Sequence, residues 1–204
     1  MAPAKGTANR RGAARREEIL DAAIELFAER GYRGSGILEL AERVGITHAG
    51  VLHHFGTKEN LLRAVVARRD EVQTPVTEAL RGGRVAGIVD ILATSRPFID
   101  PPILTRLTTV LQAENLNPGD PLHDYFDLRM RLARAFFADE LRAALEHGEV
   151  RADLDPDLKA AEILAFIMGV QVQWLMNPDL IDPDQLYAAY ARSLVEDLER
   201  PAAS

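Results

Sequence analysis

The chain has 204 residues, 47% of them hydrophobic, which is enough apolar material for one or two domains with an ample core. It has no cysteine, so a disulfide frame and a thiolate metal site are both excluded. The net charge of -7 hides a division: residues 1–70 carry 12 Lys/Arg against 9 Asp/Glu, and residues 71–204 carry 12 against 22.

A +3 leading part and a -10 remainder orient the molecule, with its first part toward a polyanion. The start has no apolar run of signal-peptide type, and the longest apolar stretch, residues 163–170, is far short of the ~20 residues that span a bilayer. A cytoplasmic protein is therefore expected. Helical periods run throughout without a convincing alternating strand. Breakers at Gly31, Gly45, Gly56, residues 81–84, Pro97, Pro101-Pro102, residues 118–121, Gly148, Pro156, Pro178 and Pro183 divide the chain into about nine helices. The fold class is all-α.

Residues 1–14 read as a flexible basic arm. With Arg15 and Arg16 they contain no acid, which suits phosphates or a minor groove, or simply a solvated tail. A first helix over 15–30 offers Ile19, Ala23, Leu26 and Phe27 as a packing face. Between Gly34 and Lys58 two short amphipathic patterns meet at a glycine. Ile37, Leu40, Ala41 and Val44 share one face, the turn is Gly45-Ile46-Thr47, and the second pattern buries Val51 and Phe55. His48, Ala49, Gly50, His53 and His54 are left outside, a small polar surface that suits a DNA groove. This is the layout of a helix-turn-helix, so residues 15–60 are expected to form a DNA-binding unit. A helix starting at the cap residue Thr57 and running to 73 leads out of it, with 61–75 as the connecting segment and 76–200 as a regulatory and dimerisation domain.

In that second part, a helix over 121–147 carries the apolar stripe Leu122, Tyr125, Phe126, Ala133, Phe136 and Phe137, with Arg129 in its middle. Three roles fit Arg129: a salt bridge to a carboxylate on a neighbouring helix, a reach along the face to solvent, or a counter-ion for an anionic ligand. The helix over 156–176 is apolar around most of its circumference. One side, Leu164, Met168, Gln171 and Leu175, suits a pocket; another, Ile163, Ile167, Val170 and Trp174, suits core or a partner subunit. Gln171 fits either a ligand or a core hydrogen bond, and Phe98 and Trp174 suit the core. The last helix, 183–198, aligns Leu186, Tyr190, Ser193, Leu194 and Asp197. His123 and Asp127 are two potential metal ligands, which do not make a site, so no metal and no cofactor is expected.

The run from 16 to 62 resembles the DNA-binding domain of the tetracycline-repressor (TetR) family. The shared features are Phe27-Ala-Glu-Arg-Gly31-Tyr32, Leu40-Ala41, Val44-Gly45-Ile46-Thr47, His54-Phe55, Thr57-Lys58-Glu59 and Leu61-Leu62. The resemblance implies that Thr47 caps the recognition helix and offers its hydroxyl to a phosphate. It implies that His48, Ala49, Gly50 and His53 face bases or the sugar wall, and that His54 and Lys58 reach the backbone, with Arg15, Arg16 and Ser35 completing the DNA-contacting set. Leu52 stands where the family often has a phosphate-binding tyrosine, Gly36 replaces the usual hydroxylic residue, and Leu38 a commonly polar one. The resemblance also implies a homodimer that pairs its last two helices with their copies and reads a palindromic operator in double-stranded DNA, released by a small-molecule effector. Candidate effector-binding residues are Phe126, Arg129, Met168, Gln171 and Trp174. A DNA-binding dimer without a ligand, and a helical-bundle enzyme or carrier, are the alternatives. The second lacks any recognisable catalytic constellation, so no enzymatic activity is expected.

Overall fold

The computed structural model describes residues 5–78, 85–93, 96–99 and 101–199, and every regular element among them is a helix. In chain order these are α1 (Lys5–Arg30), α2 (Ile37–Val44), α3 (His48–Phe55), α4 (Lys58–Glu78), α5 (Val85–Leu92), α6 (Arg96–Ile99), α7 (Pro102–Glu114), α8 (His123–Glu146), α9 (Pro156–Met176) and α10 (Pro183–Glu199). The ten described helices exceed the expected nine because residues 96–99 form a turn of their own.

One boundary moves substantially. α1 begins at Lys5, so residues 5–14 are helical where a flexible arm was expected; residues 1–4 lie outside the described residues. Arg10, Arg11, Ala13 and Ala14 are strong helix formers and continue the pattern of 15–30 backwards. Arg10 and Arg11 are thus carried on the first turns of a helix.

The expected face of α1 is the centre of the first core. Ile19, Ala23, Leu26 and Phe27 pack with Leu40 and Ala41 of α2, Val51 and Phe55 of α3, and Leu61, Leu62 and Val65 of α4. That core does not stop at the helix-turn-helix. Leu104, Leu107 and Leu111, spaced along one side of α7, and Leu122 and Phe126 at the start of α8 complete it. A second core joins Ile88 and Leu92 of α5, Phe137 and Leu141 of α8, Ile163, Ile167 and Val170 of α9, and Tyr187, Ala191, Leu194 and Leu198 of α10. The 24-residue α8 belongs to both, one end in each, and so bridges them.

Two of the prolines that divide the chain, Pro156 and Pro183, follow aspartates that cap the helices they open. Asp155 accepts hydrogen bonds from the amides of Asp157 (3.0 Å) and Leu158 (3.1 Å), with Pro156 opening α9. Asp182 Oδ1 accepts from the Gln185 amide at 3.2 Å ahead of α10. By length and composition α9 is apolar enough to cross a membrane, although no uninterrupted run in it approaches that length. Here its Ile163, Ile167 and Val170 enter the second core, while Leu158, Met168, Val172 and Met176 remain exposed. On α10 the face drawn through Leu186, Tyr190, Ser193, Leu194 and Asp197 turns largely inward. Leu194 is buried and Asp197 pairs with Lys159 Nζ at 2.7 Å, because Tyr187, Ala191, Leu194 and Leu198 form the more continuous apolar stripe.

Candidate nucleic-acid interface

The geometry of the helix-turn-helix follows from three local choices. Gly36 precedes α2 in an extended conformation and provides no side-chain cap. Gly45 ends α2 at φ 70°, a left-handed conformation that only glycine adopts without strain, and its amide points at Ala41 O and Glu42 O. Thr47 then caps α3, its Oγ1 accepting from the Gly50 amide at 3.1 Å. Val51 and Phe55 face inward, while His48, Ala49 and His53 are exposed and Gly50 is half-buried. With a methyl group and a hydrogen at 49 and 50, the α3 backbone is thinly covered on its outer side. That is what close approach to a groove requires.

The helix is anchored from behind. The Arg16 guanidinium lies 4.8 Å from the centroid of the Phe55 ring, and Arg43 binds Glu29 at 2.7 Å, fixing α2 to α1. Arg68 on α4 pairs with Glu17 on α1. Arg15 is paired along its own helix with Glu18 at 2.7 Å. His54 is half-buried with its ring edge-on to His53, centroids 5.5 Å apart, so His53 is the outer member of the pair.

Two residues assigned to DNA contact are engaged elsewhere. Ser35 is buried, and its hydroxyl donates to Gly31 O at 2.5 Å, closing the turn after α1; no hydroxyl is left to offer a phosphate. Lys58 is half-buried, with Nζ donating to Tyr32 O at 2.6 Å and standing 4.2 Å from the Tyr32 ring centroid. Burial holds its pKa below the usual lysine value. The Tyr32 hydroxyl in turn donates to Glu59 Oε1 at 3.2 Å, and burial together with the Glu59 charge pushes that phenol up to about 12. Tyr32, Lys58 and Glu59 therefore clamp the start of α4 against the α1–α2 turn. The paired sequence elements Gly31-Tyr32 and Thr57-Lys58-Glu59 contained this clamp, but 27 residues of separation concealed it.

The effector candidates separate in a similar way. Phe126 is buried in the first core, packed with Leu104, Leu107 and Leu122. Arg129 takes the salt-bridge role, its Nη1 reaching Asp70 Oδ1 on α4 at 2.8 Å. The same oxygen accepts from Tyr125 Oη at 2.8 Å and Arg69 Nη1 at 3.2 Å, and Arg69 Nε donates to Thr108 Oγ1 on α7 at 3.0 Å. Gln171 makes a core hydrogen bond, Nε2 to Phe98 O at 2.7 Å. Met168 is exposed on the outer side of α9, and Trp174 is half-buried one turn beyond Gln171. Neither Arg129 nor Gln171 was misjudged as needing a partner; which partner it was depended on packing.

Asp70 thus joins α4, α7 and α8 around a single carboxylate oxygen. Burial, with Arg129 nearby, lowers Arg69 to about 10, still charged at neutral pH, and the Asp70 carboxylate offsets part of that cost. Asp70→Asn is expected to lower stability by about 1–3 kcal/mol, below the ~3–5 kcal/mol of a deeply buried pair because the Asp70 side chain is 37% exposed. An unchanged melting temperature would contradict the assignment.

Residues 19–65 match the family described as "Bacterial regulatory proteins, tetR family", and residues 119–198 match "BetI-type transcriptional repressor, C-terminal". The chain is 31% identical over 146 residues to the HTH-type transcriptional repressor Rv1474c of Mycobacterium tuberculosis, covering 72% of this chain and 74% of that protein. It is 26% identical over 202 residues to the repressor KstR2 of Rhodococcus jostii, covering 98% and 97%. The solved KstR2 of M. tuberculosis superposes with a TM-score of 0.74 at 21% identity over 91% of this chain and 95% of that one. A SmeT–triclosan complex does so at 0.69 and 25% identity over 89% and 91%. Helix-turn-helix, second helical unit and near-full-length relatives agree: the chain belongs to the TetR family of transcriptional regulators.

Proposed function

We propose that this chain is a cytoplasmic repressor that binds a palindromic operator as a homodimer and releases it when a small molecule occupies its second helical unit. The observation that carries the reading is the outer surface of α3, where Thr47, His48, Ala49, Gly50 and His53 stand on a helix locked from behind by Val51 and Phe55. His53 reads a base edge. His48 and the amino-terminal end of α3 meet phosphates, the helix dipole adding to the attraction. Arg10, Arg11 and Arg15 on the first turns of α1 supply further charge. Lys58 acts indirectly, by setting the position of α4 against Tyr32. Effector control is supported by SmeT, a relative solved with triclosan bound, and by α4 itself, which runs from the helix-turn-helix to the Asp70 contacts with α7 and α8. A ligand shifts the balance between two arrangements of those contacts, which differ in half-site spacing, by no more than its differential affinity for the two.

Selection of bound fragments from genomic DNA with the purified protein tests the reading, and a palindromic consensus is expected. On that consensus His53→Ala is expected to lower affinity by roughly 5–30-fold, about 1–2 kcal/mol, without altering binding to random DNA. Recovery of no consensus, or an equal loss on both DNAs, refutes base reading by α3.

A further inference from the structure

Among the described residues, the second core contains two phenol hydroxyls that are buried and without a hydrogen-bond partner, those of Tyr187 and Tyr190. Tyr187 is fully buried, and burial raises both phenol pKa values, so both hydroxyls remain protonated donors. A phenol in that position is a handicap unless something supplies an acceptor; a phenylalanine would pack equally well. The surroundings are aromatic. Phe98 stacks parallel on Tyr187 with centroids 5.1 Å apart, Phe166 meets Tyr187 edge-on at 5.3 Å, and Phe166 stacks on Tyr190 at 3.8 Å.

Phe98 is the weakly held member of this group. It belongs to the four-residue α6, a single turn with no helical cooperativity of its own. Its carbonyl is tied by Gln171 Nε2 at 2.7 Å and by Thr105 Oγ1 at 3.4 Å, and its ring is half-buried where that of Tyr187 is fully buried. We propose that Phe98 is a plug occupying a ligand site. A neutral ligand of two or three rings displaces its ring, takes its place against Tyr187 and brings a hydroxyl or carbonyl oxygen round the rim of the Tyr187 ring, to accept from the hydroxyl in the plane in which it donates. A formal charge is disfavoured in these aromatic surroundings, where Glu162 and Asp197, the carboxylates that act on Tyr190, are already paired with Lys159. Ring stacking and one hydrogen bond then select the ligand, and the site opens only when it is present. The regulatory consequence rests on the repressor reading above; the binding site itself does not.

Naphthol and naphthalene, titrated by calorimetry into the full-length protein, test the site. Phe98→Leu is expected to tighten both by at least about threefold. Tyr187→Phe is expected to weaken naphthol by about 5–10-fold, to leave naphthalene unchanged, and to raise the melting temperature by about 2–4 °C, since it removes an unpaired buried hydroxyl. That combination of a more stable protein and a weaker ligand is not produced by a merely structural role. No naphthol binding to either wild type or Phe98→Leu overturns the proposal, as does naphthol binding that Tyr187→Phe leaves intact. Operator retention is measured separately: release by naphthol is expected, and calorimetry that behaves as described while operator affinity stays constant overturns effector control but not the site.

Discussion

Gly31→Ala is expected to destabilise the protein by about 3 kcal/mol and to lower its melting temperature by roughly 6–12 °C. Two separate effects add at this position. Gly31 has φ 73°, where a Cβ costs roughly 1–2 kcal/mol. That Cβ would also stand 2.2 Å from Glu114 Oε1 and 2.6 Å from its Cδ. The carboxylate can swing aside only by leaving the amides of Tyr32 (2.7 Å) and Arg33 (3.3 Å), which it caps from the end of α7. Charge-assisted bonds of this kind contribute about 1.5–3 kcal/mol. Gly45 provides the control, because its φ is 70° but nothing lies within 4 Å of its would-be Cβ. Gly45→Ala should therefore show the backbone term alone, about half the loss. A double-mutant cycle with Glu114→Ala should be strongly non-additive, since the second change removes the clash caused by the first. Equal losses for the two glycines, or an additive cycle, would exclude the Glu114 contact as the cause.

Val172→Glu is expected to convert the proposed dimer into a monomer and to reduce operator affinity by on the order of 100-fold or more, because a single recognition helix loses the second half-site. α9 leaves Leu158, Ala161, Ala165, Met168, Val172 and Met176 along one side at spacings of three and four residues, and Val172 is 43% exposed at its centre. The small residues at 161, 165 and 169 allow a second helix to approach closely. A carboxylate on this side costs nothing in the monomer, where it is solvated, and several kcal/mol if buried against an apolar copy. Sedimentation checks the first outcome and operator titration the second. A Val172→Glu protein that still sediments as a dimer places the interface elsewhere.

How legible these features were depended on the range of the interaction that forms them. The α1 face, the turn at Gly45, the Thr47 cap and the inward Val51 and Phe55 all arise within one or two helical turns, so residue spacing was sufficient. Ser35 and Lys58 each have the chemistry of a phosphate ligand, and their contacts with Gly31 and Tyr32, which close over them, could not be read from that chemistry. The outward side of α9 at Met168 and the inward turn of the α10 face were not legible for a related reason. α9 is apolar nearly all round, so its periodicity did not favour one buried side over the other, and only contact with α8 made the choice.

The sequence by itself determined the fold class, the position of the helix-turn-helix, membership of the repressor family and the need of Arg129 and Gln171 for partners. These follow from hydrophobic period, glycine conformation and the chemistry of single side chains. The tertiary structure alone decided that Asp70 is the partner of Arg129, that Phe98 O is the partner of Gln171, that Glu114 caps the end of α1, and that the Tyr187 hydroxyl has no partner. Each of these joins residues far apart in the chain, and a long-range pairing is selected by how whole helices pack, which no local pattern encodes.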